Sequence, residues 1–434
     1  MYIEQSPNTG WSGEPDSPDR APESGEPLES MPVSRDPDIG SEDGDREDLA
    51  PESGGRADLS QLPTGITRWH SSGLGDEREM PAPAPKAGRG WLVKALGAAG
   101  LVVAVGALAS ALARRSRYTF TDKTVVVTGG SRGLGLLLAR RLAAEGARLV
   151  LLARDADELQ RASRELGEAG GNVLPIPCDI TQRDQVESAI QQAAARFGGI
   201  DVLINNAGVI QVGPIEHMRI EDFEEAMKVH LWGPLYATMA VLPHLRQRGE
   251  GRIVNISSIG GKVAFPHLGP YATSKFALTG LSDALRAELR RENIYVTTVC
   301  PGLMRTGSPP NITTKGRHEA EYAWFAISDS LPLLSVNANR AAARILEACR
   351  RGAPRLVIGA QAKAVVMLNE LMPGLSARML AIANRLLPSP APGGSPEERT
   401  GWESQSKWAP SRLTSLTYKA AERNNEVKAA DVEG

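Results

Sequence analysis

The chain has 434 residues, with 49 Lys and Arg against 51 Asp and Glu and a formal net charge of −2, a balance that conceals an acidic head and a net-basic remainder and that fits a specific nucleic-acid role less well than an anionic cofactor or a membrane surface. Its three cysteines, Cys178, Cys300 and Cys349, are widely spaced and odd in number, which excludes a disulfide framework or a cysteine metal cluster and points to a reducing compartment. The length allows two or three domains, but composition confines the folded body to about 270 residues.

Residues 1–90 are rich in Pro, Gly and Ser, carry nineteen acidic against six basic residues up to Pro85, and are expected to be disordered. The following stretch, 91–115, holds the uncharged run 95–113, near the ~20 residues that span a bilayer. A transmembrane helix is the expectation, with a surface-lying anchor and a secretory signal starting at Met80 as alternatives. Arg114, Arg115 and Arg117 follow at once and, by the positive-inside rule, keep the body cytoplasmic, although Lys86, Arg89 and Lys94 weaken the asymmetry. Because the head is acidic, the remainder is net basic, which suits an anionic cofactor or a membrane surface.

From Lys123 onward, β-rich runs alternate with helical ones: KTVVVTG, RLVLLA, NVLPIPCD, DVLINNAG, GRIVNISS and IYVTTVCPG. Strands apolar on both faces need cover on both sides, which predicts an α/β fold with a doubly wound parallel sheet. The first strand ends in Thr128-Gly129-Gly130-Ser131-Arg132-Gly133-Leu134-Gly135 and opens a helix. Glycines permit a tight turn and close backbone approach, and the helix N-terminus offers free N–H groups, so this turn fits a dinucleotide pyrophosphate. Further on, GPYATSKFAL places Tyr271 and Lys275 four apart, on one helix face. A cation there favours the phenolate and moves a pKa near 10 toward values useful for proton transfer; a snorkelling lysine beside a half-buried tyrosine is the structural alternative.

The T-G-x-x-x-G-x-G turn, Asn205-Asn206-Ala207-Gly208 after the fourth strand, Ser258 thirteen residues before Tyr271, and Pro301-Gly302 with Thr306 together resemble the short-chain dehydrogenase/reductases over roughly 118–358, in their shorter, catalytically simple branch. The resemblance implies a single Rossmann-type catalytic domain over 118–360, with a sheet of about seven parallel strands and NAD(P)-dependent oxidoreductase activity. It assigns cofactor contacts to Thr128, Gly129, Ser131, Arg132, Gly133, Leu134, Gly135, Asn206, Ala207, Gly208, Tyr271, Lys275, Pro301, Gly302 and Thr306. Asp179 resembles the adenine-contacting acid; its alternative is a helix N-cap, for which Thr181 is an equal candidate. By the same resemblance Tyr271 exchanges a proton with the reacting oxygen, Lys275 lowers the tyrosine pKa and holds the nicotinamide ribose, and Ser258 hydrogen-bonds that oxygen. Strand alternation turns Ser257 to the opposite face. Ala153 stands where an acid would hold a free ribose, with Arg154 next to it and Arg132 in the turn, so NADP(H) is expected ahead of NAD(H).

The segment 307–335 lies where the family keeps its substrate loop, and its Tyr322, Trp324 and Phe325 fit either an apolar substrate or packing of a lid helix. Residues 361–388 read as two short amphipathic helices broken at Pro373-Gly374, lying on a membrane, capping the pocket or packing on the body. The tail 389–434 reads as unstructured. His230 departs from the family, which usually has asparagine there holding a relay water at a helix irregularity. A histidine relay titrating near 6.5, a packed residue and weakened turnover are the three readings. The expectation is therefore a membrane-anchored enzyme, catalytic domain toward the cytoplasm, interconverting a lipophilic carbonyl compound and its alcohol. A membrane-tethered NADP(H) sensor or scaffold without efficient turnover is the alternative, and a homo-oligomer is left open.

Overall fold

The run Thr124–Thr128 (β1) is buried at every position, so it has no solvent face and must lie between two layers. The computed structural model describes residues 118–390 and 395–427 and sets β1 inside a seven-stranded parallel sheet. The other strands are β2 (Arg148–Ala153), β3 (Asn172–Pro177), β4 (Val202–Asn205), β5 (Gly251–Ile256), β6 (Ile294–Pro301) and β7 (Arg355–Ile358). Side by side they run β7-β6-β5-β4-β1-β2-β3, the doubly wound order that the buried strands called for. Successive crossovers from β1 go opposite ways, so a crevice opens at the carboxyl ends of β1 and β4, where sheets of this kind bind ligands.

The pleat sorts the core into two faces. Val125 and Val127 pack with Leu138 and Leu142 of α1 (Gly133–Ala144) and, on the same face, with a helix over Ala338–Arg350 through Ala341 and Ile345. Val126, paired with Val150 and Leu203, faces the other way, toward Ile190 of the helix Arg183–Phe197 and Val241 of the helix Gly233–Arg248. Each fully buried valine or leucine contributes roughly 1.5–3 kcal/mol, and both layers depend on that alternation. Between β2 and β3 lies α2 (Ala156–Glu168), capped by Asp155, whose carboxylate accepts from the Glu158 N–H at 2.9 Å. After β5 comes α3 (Gly269–Leu289).

The segment after β6 differs from the loop the sequence suggested. Tyr322 and Phe325, in the helix His318–Ser330, are buried in a satellite core with Val212, Ile312 and Ala409, and the half-buried Trp324 donates to Glu321 at 2.7 Å. Of the two readings of these aromatics, packing is the one observed. The expectation of an unstructured tail over 389–434 is corrected for its described residues 395–427. Ser395–Thr400 pairs antiparallel with Thr313–Gly316, and Ser415–Arg423 forms a helix, here α4, whose Tyr418 hydroxyl lies 2.5 Å from that of Tyr322. Backbone pairing and buried hydroxyl contacts supply what the polar composition lacks.

Helices at Ala360–Leu371 and Pro373–Asn384 do break at Pro373, and Ser376 ties them by donating to Asn369 at 2.9 Å. Their apolar Leu371, Leu375, Met379 and Ile382 are exposed rather than packed on the body. The acidic head and the run 95–113 lie outside the described residues, and among the described residues no helix is long and apolar enough to cross a membrane.

Candidate active site

At the end of β1 the chain turns sharply at Gly129 (φ +63°) and Gly133 (φ +55°) before entering α1. A Cβ at Gly135 would collide with the Gly129 carbonyl, so the turn closes this tightly only with glycine there. Thr128 joins this turn to the end of β4: its Oγ1 accepts from the N–H groups of Asn206 (3.0 Å) and Ala207 (3.1 Å), and Asn206 Nδ2 donates back to the carbonyls of Thr128 and Gly129. Two motifs nearly eighty residues apart thus form one rigid floor, with the first N–H groups of α1 rising from it.

β5 ends at Ile256, and Ser257 and Ser258, which follow it, point to opposite sides. Ser257 Oγ lies 3.0 Å from the Lys275 carbonyl and 2.9 Å from Thr279 Oγ1, inside the packing. Ser258 Oγ accepts from the Gly260 N–H at 3.0 Å and hydrogen-bonds the Tyr271 phenol. Tyr271 and Lys275 lie on one face of α3, with Lys275 Nζ 5.7 Å from the Tyr271 ring centre and donating to the Ile256 carbonyl at 3.0 Å. The expected lowering of the phenol by Lys275 is not found. Burial raises the Tyr271 pKa, the Ser258 hydrogen bond opposes it only in part, and burial drives Lys275 down to about 7.

His230 sits in a single π-helical turn, Lys228–Trp232, and is 1% exposed. Its Nε2 accepts from the Val209 N–H at 3.1 Å, and its Nδ1 lies 2.8 Å from Ser274 Oγ, which itself donates to the Tyr271 carbonyl at 2.9 Å. These partners fix the tautomer with the proton on Nδ1. Burial, then the charge of Lys275, holds its pKa well below the ordinary histidine value, so the reading of a group titrating near 6.5 is replaced by a neutral ring with both nitrogens engaged. Its ring meets Tyr271 edge-on at 5.6 Å.

The remaining residues are distributed unequally around the crevice. Gly302, after Pro301 at the end of β6, donates its N–H to Ile358 at 3.0 Å, and Thr306 is buried just beyond. Asp179 is neither helix cap nor free: its Oδ1 accepts from Thr181 N and Oγ1, both at 2.9 Å, while the helix that follows starts at Arg183 with Gln182 at its cap, so the capping reading of Asp179 and Thr181 fails. Arg154 is exposed and forms no ion pair among the described residues. Arg132 is engaged, reaching Glu158 (2.9 Å), Asn311 (3.2 Å) and Glu426 (3.4 Å). Sequence reading missed Glu158, which accepts from Ser131 at 3.2 Å and from Arg132 at 2.9 Å; the Asp155-x-x-Glu158 helix-start signature marks where α2 begins but not this contact. It also missed Glu426, in a tail whose composition carries no signal of burial.

A cleft of about 370 Å³ opens beside the start of α3, lined by Gly213, Pro214, Phe265, His267, Gly269 and Leu380 among others. It borders Tyr271 in sequence, but Ser258, Tyr271 and Lys275 do not line it.

Residues 123–316 match the family model described as short chain dehydrogenase. The chain is 35% identical over 274 residues to dehydrogenase/reductase SDR family member 7B of Danio rerio, an alignment covering 62% of this chain and 87% of the relative. It is 38% identical over 184 residues to the ketoacyl reductase HetN of a Nostoc species, covering 42% and 64% of the two chains. Among solved structures, a variant of actinorhodin polyketide ketoreductase with NADPH superposes with a TM-score of 0.50 at 31% identity, over 55% of this chain and 97% of that one.

Proposed function

Because the chain belongs to the short-chain dehydrogenase/reductase family of oxidoreductases, we propose that it reduces a ketone or aldehyde on a lipophilic substrate to the alcohol, using NADPH. The observation that carries this reading is the convergence of the Ser258 hydroxyl, the Tyr271 phenol and the Lys275 ammonium at the carboxyl end of β5. The phenol is protonated at neutral pH and so can give its proton to the reacting oxygen, as the reductive step needs.

The residues present fit a dinucleotide. The glycine turn leaves its backbone open to close approach, the α1 N-terminus favours anions, and the chain's own oxygens already rest against Gly133 and Arg132. Thr128 and Asn206 stiffen the floor, Arg132 and Arg154 would meet a 2′-phosphate where Ala153 leaves no acid, and Lys275 would hold the nicotinamide ribose. When bound, the nicotinamide supplies a hydride to the carbonyl carbon. Negative charge then grows on the substrate oxygen, where Ser258 and Tyr271 are preorganised donors, and Tyr271 delivers the proton. His230 and Ser274 hold the backbone carbonyl of Tyr271 and so orient the phenol.

The lipophilic substrate is supported by exposed Met379 and Ile382 on the helix that brings Leu380 to the cleft, and by the ketoacyl and polyketide ketoreductase names of the relatives. Titrating NADPH and NADH by fluorescence tests the cofactor. At least tenfold tighter NADPH binding, about 1.4 kcal/mol, is expected. Equal affinities would mean that Glu158 keeps Arg132 as its own partner and leaves the 2′ position to a free ribose.

A further inference from the structure

The glycine turn, Arg132 and the loop after β6 are all gripped by three consecutive residues of the C-terminal segment. The Asn424 carbonyl accepts from the Gly133 N–H at 2.9 Å, and its Nδ2 donates to the Thr306 carbonyl at 2.7 Å. Asn425 Nδ2 donates to the carbonyls of Ser131 (2.9 Å) and Glu158 (3.1 Å), and its Oδ1 accepts from Arg161 at 3.0 Å. The Glu426 carboxylate lies 3.4 Å from Arg132 Nε and accepts from Asn311 Nδ2 at 2.8 Å. Asn424 and Glu426 are 5% and 6% exposed, and a Cβ placed on Gly133 would collide with the Glu426 carboxylate. The segment is delivered there by α4, anchored through Thr417 to Ser330 at 2.6 Å and through Tyr418 to Tyr322.

The tail therefore presents a carbonyl and a carboxylate to a helix N-terminus and an arginine that together select anions. A wall of a pyrophosphate site cannot be made this way, because a carboxylate against a phosphate is repulsive and Gly133 has one N–H to give. We propose that residues 424–426 are an autoinhibitory strap that occupies the phosphate-binding turn and must withdraw before a dinucleotide binds. The inference rests on the reading of this turn as a dinucleotide site. With the strap seated in most molecules, apparent cofactor affinity falls by the fraction of chains in which it is released; a chain seated nine times in ten or more binds at least tenfold more weakly.

The test compares NADPH binding by the full chain, by a chain ending at Arg423, which keeps α4, and by Glu426→Ala. A second readout follows amide hydrogen exchange of 424–427 in the full chain as NADPH is added. Tenfold or greater tightening on truncation, a smaller gain for Glu426→Ala, and faster exchange of the tail as 129–135 becomes protected are expected. Unchanged or weaker binding on truncation, or protection of the tail by NADPH, would overturn the strap and make the segment a wall of the site. Binding of neither NADPH nor NADH by any of the three chains would overturn the dinucleotide reading and the strap with it.

Discussion

Tyr271 depends on neighbours that never touch a substrate. His230 is the nearest of these, and its role is set by its hydrogen bonds: with Nε2 taken by Val209 and Nδ1 by Ser274, the ring braces the first turn of α3. Removing it in His230→Leu leaves a buried N–H without an acceptor, a loss of about 1–3 kcal/mol, and frees the Tyr271 carbonyl to shift. Thermal melts should show the destabilisation, and turnover should fall while NADPH affinity changes little. His230→Asn keeps a donor and an acceptor and should retain most activity. Because His230 is held neutral, the pH–rate profile of the native protein should have no limb near 6.5 that disappears in His230→Leu. Such a limb would restore the proton relay. The Tyr271–Lys275 pair was legible because its members are four residues apart on one helix. The environment of His230 was not, since its partners stand 21 and 44 residues away, and neither separation leaves a periodic trace.

At the scale of elements, the central strands and α1 were legible because burial on both faces writes itself as unbroken Val, Leu and Ile. The strand Ser395–Thr400 carries no such mark; its sequence SPEERT is mostly exposed and is held by backbone pairing and by the hydrogen bond that Gln211 donates to Glu398 at 3.2 Å. The strap that follows α4 is polar and buried, a combination that only long-range hydrogen bonds permit. Its charge gives a pH signature. Burial, then Glu158, raises Glu426 to about 7 against the partial relief offered by Arg132 and Asn311, the groups that face it. A carboxyl raised in the seated state binds its proton more tightly there than when released. Seating is thus fully favoured below the free value near 4.5 and weakens as pH rises through about 7. The NADPH affinity ratio of the chain ending at Arg423 to the full chain should therefore shrink as pH climbs from about 5 to about 8. A ratio that grows over that interval would contradict the assignment of Glu426.

The described chain places its chemistry where the sheet order reverses: β1 and β4 supply the floor, β5 and α3 the hydroxyls, and the C-terminal segment rests on the floor at Gly133. Fold and family were legible together because short motifs at β1, β4, β5, α3 and β6 sit at strand ends that the topology must bring to one edge. Charge at the cofactor end was only half legible, since Arg132 was visible but the two carboxylates that answer it came from α2 and from the tail. The central claim is that Ser258, Tyr271 and Lys275 make this chain a carbonyl reductase rather than a tethered nucleotide binder. The most direct measurement supplies saturating NADPH deuterated at the transferable position, with a panel of lipophilic ketones and aldehydes, and weighs the alcohols by mass spectrometry. The account predicts one deuterium on the carbinol carbon with the native chain and a rate lower by about 10²–10⁴ with Tyr271→Phe at unchanged NADPH affinity. Tight NADPH binding with no deuterium delivered to any carbonyl, or equal rates from the native chain and Tyr271→Phe, would contradict it.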